Sequence, residues 1–131
     1  MGIQLSKSAC RLIDGRNYAV LATVNPDGSP HTSVMWIGRD GDDLLMSTVE
    51  GRRKHRNMVR DPRVSVTVID SADPESYVEL RGLVSMTPDE GRRVDTVLSW
   101  KYDGKDPGKD QPGAVRVVVR VEVLKAAGYA A

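Results

Sequence analysis

Residues 47–58, Ser-Thr-Val-Glu-Gly-Arg-Arg-Lys-His-Arg-Asn-Met, hold the densest chemistry of the chain. A β-type run ends at Thr48 or Val49, and a helix is expected to begin near Gly51 and to stop before Asp61-Pro62. A helix N-terminus exposes unpaired N–H groups and about half a unit of positive charge. Cations there oppose the dipole, yet Arg52, Arg53 and Lys54 fill the first turn. A phosphate between them resolves the conflict, because backbone donors and side-chain cations then face one anion. Ser47 and Thr48, just upstream, supply hydroxyls for the polar edge of the same ligand. The competing account is a solvated basic helix face.

Other groups offer less. His31 and His55 are the only histidines and Cys10 the only cysteine. Their spacing makes no metal site and no disulfide framework. His31, on a strand, is a weak candidate proton donor near neutral pH, and a surface histidine is the simpler reading. His55 reads as an ordinary helix residue. Trp36, Trp100 and Tyr102 are candidate walls of a substrate pocket, with Trp100 equally suited to packing the helix that carries it.

The elements that position these groups follow from pattern. The 131 residues predict one domain, 1–131, large enough to bury a core without staples. A short amphipathic helix is expected near 5–13, with Leu5, Ala9, Leu12 and Ile13 inward and Asp14-Gly15 ending it. Residues 18–24 read as a strand. Asn25-Pro26-Asp27-Gly28 is a turn, His31 to Gly38 a second strand, Arg39–Asp42 a turn and 43–49 a third strand. Val64, Val66 and Val68 alternate as a fourth, after which 71–75 form a loop. Tyr77 to Met86 is the fifth, with a possible bulge at Gly82. Thr87-Pro88-Asp89-Glu90 combines an N-cap, an N1 proline and a capping-box glutamate. The helix it predicts buries Val94, Val97 and Leu98. After a glycine- and proline-rich loop at 103–113, Val115, Val117, Val119, Val121 and Val123 share one face of a last strand, with Arg116, Arg120 and Glu122 opposite. Short connections make the sheet antiparallel. Six such strands protect their edges best by closing. The expected class is therefore mainly β, a six-stranded antiparallel barrel with short helices.

Charge and composition exclude several classes. The net charge of +1 argues against a duplex nucleic-acid binder. Aromatic residues are too few for a single-strand stacking platform. No apolar run approaches the ~20 residues of a membrane span, residues 1–15 lack the apolar stretch of a signal peptide, and the lone cysteine fits a reducing cytoplasm.

Beyond these patterns the chain resembles the pyridoxamine 5'-phosphate oxidase-like split β-barrel flavoproteins, and within them the small deazaflavin (F420)-dependent oxidoreductases. The resemblance rests on Val20–Thr23, Asp27–Pro30, the strand through Ser33 and Trp36, Ser47-Thr48, Arg52–Met58 and Arg60–Val66, and covers about 18–124. It implies an FMN-binding type of split barrel and a homodimer with sites at the subunit interface. It implies cofactor contacts from Arg52, Arg53 and Lys54 to a phosphate. Met46, Ser47 and Thr48 would lie beside the ribityl chain and ring, and Pro30, Ser33 and Val34 under the ring system. Asn57 would brace the loop. The short chain matches the group that favours F420 over flavin mononucleotide (FMN). The implied activity is hydride transfer from reduced deazaflavin to an electron-poor small molecule. An FMN oxidoreductase, a non-catalytic F420 or flavin carrier and a small nucleic-acid-binding barrel that uses the same basic segment remain open.

Overall fold

The computed structural model describes residues 2–131, and Met1 lies outside the described residues. The elements in chain order are α1 (Lys7–Asp14), β1 (Ala19–Val24), β2 (Pro30–Met35), β3 (Gly38–Asp40), β4 (Asp43–Val49), α2 (Arg53–Arg60), β5 (Arg63–Ile69), β6 (Tyr77–Pro88), a 3-10 turn (Glu90–Arg92), α3 (Arg93–Asp103) and β7 (Arg116–Ala127). All strand pairs are antiparallel, in the order β2-β1-β5-β6-β7-β4-β3.

The end strands of that order, β2 and β3, are neighbours in the chain, joined by Trp36-Ile37 alone. The sheet must therefore curl until its ends meet, which makes it a split barrel. The expectation of one strand from His31 to Gly38 is corrected here. The run breaks at 36–37 because β2 pairs with β1 while β3 pairs with β4, on opposite ends of the sheet. Counting the broken strand once restores the expected six.

The barrel interior is aliphatic. Leu21, Leu44, Met46, Val66, Val68, Val78, Leu80, Val119, Val121 and Val123 are fully buried. They sit at alternating positions of their strands, as period-two patterning requires. α1 begins where the Ser6 hydroxyl accepts from the Ala9 N–H at 3.0 Å, and it buries Ala9, Leu12 and Ile13, with Leu5 just before it. The bulge at Gly82 is present, as a register shift between Arg81 and Gly82 in the β6–β7 ladder.

The start of α3 departs from expectation. Thr87 is not its N-cap and Pro88 is not its first residue. Both belong to β6, paired with Val118 and Val117. The long β6–β7 ladder overrides the local capping signal. Asp89 takes the capping role instead, with its two carboxylate oxygens accepting from the N–H groups of Val94 at 3.1 Å and Asp95 at 3.0 Å. Reaching across that gap requires a left-handed step at Gly91 and Arg92 (φ 64° and 53°). The rotated helix buries Asp95, Leu98 and Ser99, and leaves Val97 68% exposed.

Candidate active site

α2 starts two residues later than expected, because Gly51 (φ 93°) turns the chain out of β4 before the helix begins. The Gly51 N–H donates to His55 Nδ1 at 3.0 Å, so His55 serves the helix entry. No acidic residue offsets the dipole in the first turn.

Two of the three expected cations share one cleft. Arg52 and Lys54 line a cavity of about 420 Å³ together with Ser47, Val34, Met35 and Trp36. Its far wall is the 105–110 loop, with Arg92, Asp95 and Arg116 at the base. Lys54 is half-buried, and its ammonium touches only the Met35 thioether, Nζ to Sδ at 3.1 Å. Burial, and then the charge of Arg52, lower its pKa below the ordinary lysine value. Arg52 makes no side-chain hydrogen bond or ion pair among the described residues. Two cations thus stand side by side, one of them partly desolvated, with no carboxylate in contact. An anion of the right shape would satisfy both.

Arg53 is elsewhere. It points into a separate surface groove with Asn25, Pro26, Asp27 and His31. Arg52 is the N-cap, with extended backbone, whereas Arg53 and Lys54 are successive helical residues about 100° apart, so Arg53 turns away from the side that Lys54 faces. Of the three cations expected around one phosphate, Arg52 and Lys54 line the cleft and Arg53 does not. His31, in Arg53's groove, is likewise outside the cleft, and Pro30 borders a third groove with Arg63 and Arg81.

The strand residues divide by parity. In β4, Ser47 faces the cleft, while Met46 and Thr48 face the barrel interior and are 0% and 1% exposed. Of the three residues expected beside the ribityl chain and ring, only Ser47 presents its side chain to the cleft. In β2, Val34 is exposed and lines the cleft, and Ser33 points away from it with Oγ buried and unpartnered.

Asn57 is fully buried and its Nδ2 donates to Thr23 Oγ1 and Asn25 Oδ1, each at 3.0 Å. This pins α2 to the β1–β2 turn and so fixes the angle at which Arg52 and Lys54 leave the helix. Asn57→Ala deletes both bonds and strands two acceptors. A loss of about 1–3 kcal/mol is expected in urea-unfolding free energy.

The aromatic wall is half as expected. Trp36 lines the cleft and stacks on Tyr102, centroids 5.4 Å apart and planes within 5°. Tyr102 therefore backs the wall without facing the cleft. Trp100 is 56% exposed, is not part of the cleft, and donates from Nε1 to Asp106 at 2.8 Å.

Sequence reasoning missed the base of the cleft. Arg116 holds Asp110 through paired bonds of 2.9 and 2.8 Å, and its Nη1 reaches Ser47 Oγ at 3.4 Å. Arg92 binds Asp95 and the Gly108 carbonyl. These four charges neutralise each other and strap the loop down. Arg116 holds the Asp110 carboxyl below its ordinary pKa. Strand parity did place Arg116 on the outer face of β7, and its register opposite Val49 brings it beside Ser47. Nothing local marked Arg92.

The comparisons with known proteins agree with the fold. The sequence model described as pyridoxamine 5'-phosphate oxidase matches residues 5–127. A solved structure called an F420 reductase is 33% identical, covering 94% of this chain and 98% of its own, with a TM-score of 0.83. A Listeria innocua protein provisionally described as a pyridoxamine 5'-phosphate oxidase is 25% identical, covering 87% of this chain and 89% of its own (TM-score 0.67). A conserved hypothetical protein from Mycobacterium tuberculosis, 24% identical over 95% of this chain and 84% of its own, has a TM-score of 0.74. No helix among the described residues is long and apolar enough to cross a membrane.

Proposed function

The chain belongs to the pyridoxamine 5'-phosphate oxidase family, and on that premise we propose that it is an oxidoreductase that holds the deazaflavin coenzyme F420 in the Arg52–Lys54 cleft. The observation that carries the reading is the half-buried Lys54 ammonium beside Arg52, two cations that form no ion pair among the described residues, with Asp110 across the cleft feeling the Arg52 charge only at a distance. Likeness to the F420 reductase favours F420 over FMN.

In this reading Arg52 and Lys54 bind the phosphate of the cofactor, and Ser47 hydrogen-bonds its polar chain. Val34 and Trp36 offer apolar and aromatic surface to the ring system. When bound, the reduced coenzyme supplies a hydride to an electron-poor small molecule. The protein orients the two partners and keeps water from between them. His31 opens onto Arg53's groove and not onto this cleft, so this reading gives it no role in proton delivery within its own protomer.

The site is completed, in this proposal, by a second copy of the chain. β2 pairs on one edge only, with β1, and Val34 on it is 66% exposed at the rim of the cleft. A homodimer would cover that rim.

Parallel titrations of the purified protein with F420 and FMN test the assignment. F420 is expected to bind more tightly, and turnover of reduced F420 against quinone-like and enone-like acceptors then separates a reductase from a carrier. Tighter FMN binding overturns the choice of cofactor. Arg53→Ala is expected to change F420 affinity by less than about threefold, since an exposed charge outside the cleft contributes little.

A further inference from the structure

The short joint that closes the barrel, Trp36-Ile37, also carries the aromatic wall of the cleft. It is held from behind by the last turn of α3. Lys101 Nζ donates to the Ile13 carbonyl at the end of α1 (2.5 Å) and to the Ile37 carbonyl (2.6 Å). The same ammonium stands 4.9 Å from the Tyr102 ring centroid. Tyr102 accepts from the Ile37 N–H at 3.3 Å, donates to the Asn17 carbonyl at 2.6 Å, and stacks on Trp36. One half-buried cation therefore ties the joint, α1 and the ring behind the indole.

We propose that Lys101 is a positioning residue for Trp36, setting the indole that walls the cofactor cleft through its hold on Ile37 and Tyr102. The proposal rests on the reading of that cleft as the F420 site, and it concerns the wall rather than the anion pair.

The electrostatics make this hold titratable. Among the described residues no carboxylate is in contact with Lys101. Asp14, the acid that acts on it, is occupied by Arg39 through bonds of 2.8 and 2.9 Å. Arg16 is committed to the Lys101 carbonyl, and Tyr18 packs on the other side of Tyr102. Arg39, Asp89, Glu90 and Arg93 flank the adjoining groove. Burial pushes the Lys101 pKa down to about 8, against the pull of Asp14. Above that pH the amine keeps no charge for the two carbonyls or for the ring.

The test reads the indole directly, without cofactor. Trp36 and Trp100 are the only tryptophans, so Trp100→Phe leaves Trp36 as the sole reporter. Its emission maximum is expected to shift with pH about a midpoint near 8. In Lys101→Met the transition is lost, with the high-pH emission at all pH values. In Lys101→Arg, charged throughout, it is lost with the low-pH emission. A folded Lys101→Met or Lys101→Arg protein that keeps the transition overturns the proposal. F420 titration of Lys54→Ala tests the cleft assignment separately, because it reads cofactor affinity, whereas the pH transition of the free protein reads the hold of Lys101 on the wall.

Discussion

Lys54→Ala is expected to weaken F420 binding by about 10- to 100-fold. A charge-assisted hydrogen bond to an anion is worth about 1.5–3 kcal/mol. Here the ammonium is already partly out of water and its one contact is a thioether. The cost of desolvating the cation is thus met in the free protein, and an arriving phosphate takes most of the benefit. The same logic sets the direction of the stability change. Removing a half-buried cation that lacks a counter-charge is expected to leave the ligand-free protein as stable as before, or slightly more so. Isothermal titration with F420, paired with thermal unfolding of the free protein, reads both quantities. Undiminished affinity in a folded variant removes Lys54 from the site, and a collapse in unfolding temperature shows the lysine to be a packing residue. The contrast with Arg53→Ala, one residue away, separates a site effect from loss of general positive charge.

Gly82→Ala is expected to be the most disruptive single-methyl change in the barrel. A Cβ at this position would stand 2.1 Å from the Glu122 carbonyl oxygen and 2.9 Å from its carbon. Both atoms are backbone and neither can swing aside. β6 is itself clamped, with Gly82 opposite Val64 of β5 on one side and Val123 of β7 on the other. Relief requires the bulge to be rebuilt and the ladder to shift, so a loss of about 3 kcal/mol or more is expected in urea unfolding. Gly108→Ala is the matching control. It has open space around its Cβ and no positive φ, and little change is expected. Equal stability of the two variants overturns the account of the bulge.

Much of this was legible from residue pattern, for reasons that can be named. The alternating valines of β5 and β7 gave the inward faces directly. Proline after Asp61 and glycine at 82 marked a helix end and a bulge, because each has a backbone requirement that no neighbour can mask. Arg52 and Lys54 were found because two cations at a helix start have no local explanation. What stayed hidden depended on partners distant in sequence. The break at Trp36-Ile37 has no glycine or proline to announce it, since it arises from pairing with strands at opposite ends of the sheet. The capping signal at Thr87-Pro88 was genuine but weaker than the ten residue pairs between β6 and β7. Arg53 and Thr48 failed for a simpler reason. Adjacent residues cannot share a direction, on a helix or on a strand, so at most some of a contiguous motif can face one ligand. Leu44 and Met46, apolar and alternating, already carried the parity that sends Thr48 inward and Ser47 out.

The joint at Trp36-Ile37 has a mechanical consequence. Everywhere else around the ring neighbouring strands are laced by backbone hydrogen bonds, but between β2 and β3 the circuit is carried by covalent chain and by side chains packed behind it. That is the seam at which the wall can breathe at least cost. A planar ligand seated against the indole rivets the seam from the open side, as Tyr102 does from the closed one. Recognition and resistance to unravelling then draw on a common set of atoms, and a cofactor that fills the cleft stiffens the whole cylinder by occupying its one unlaced edge.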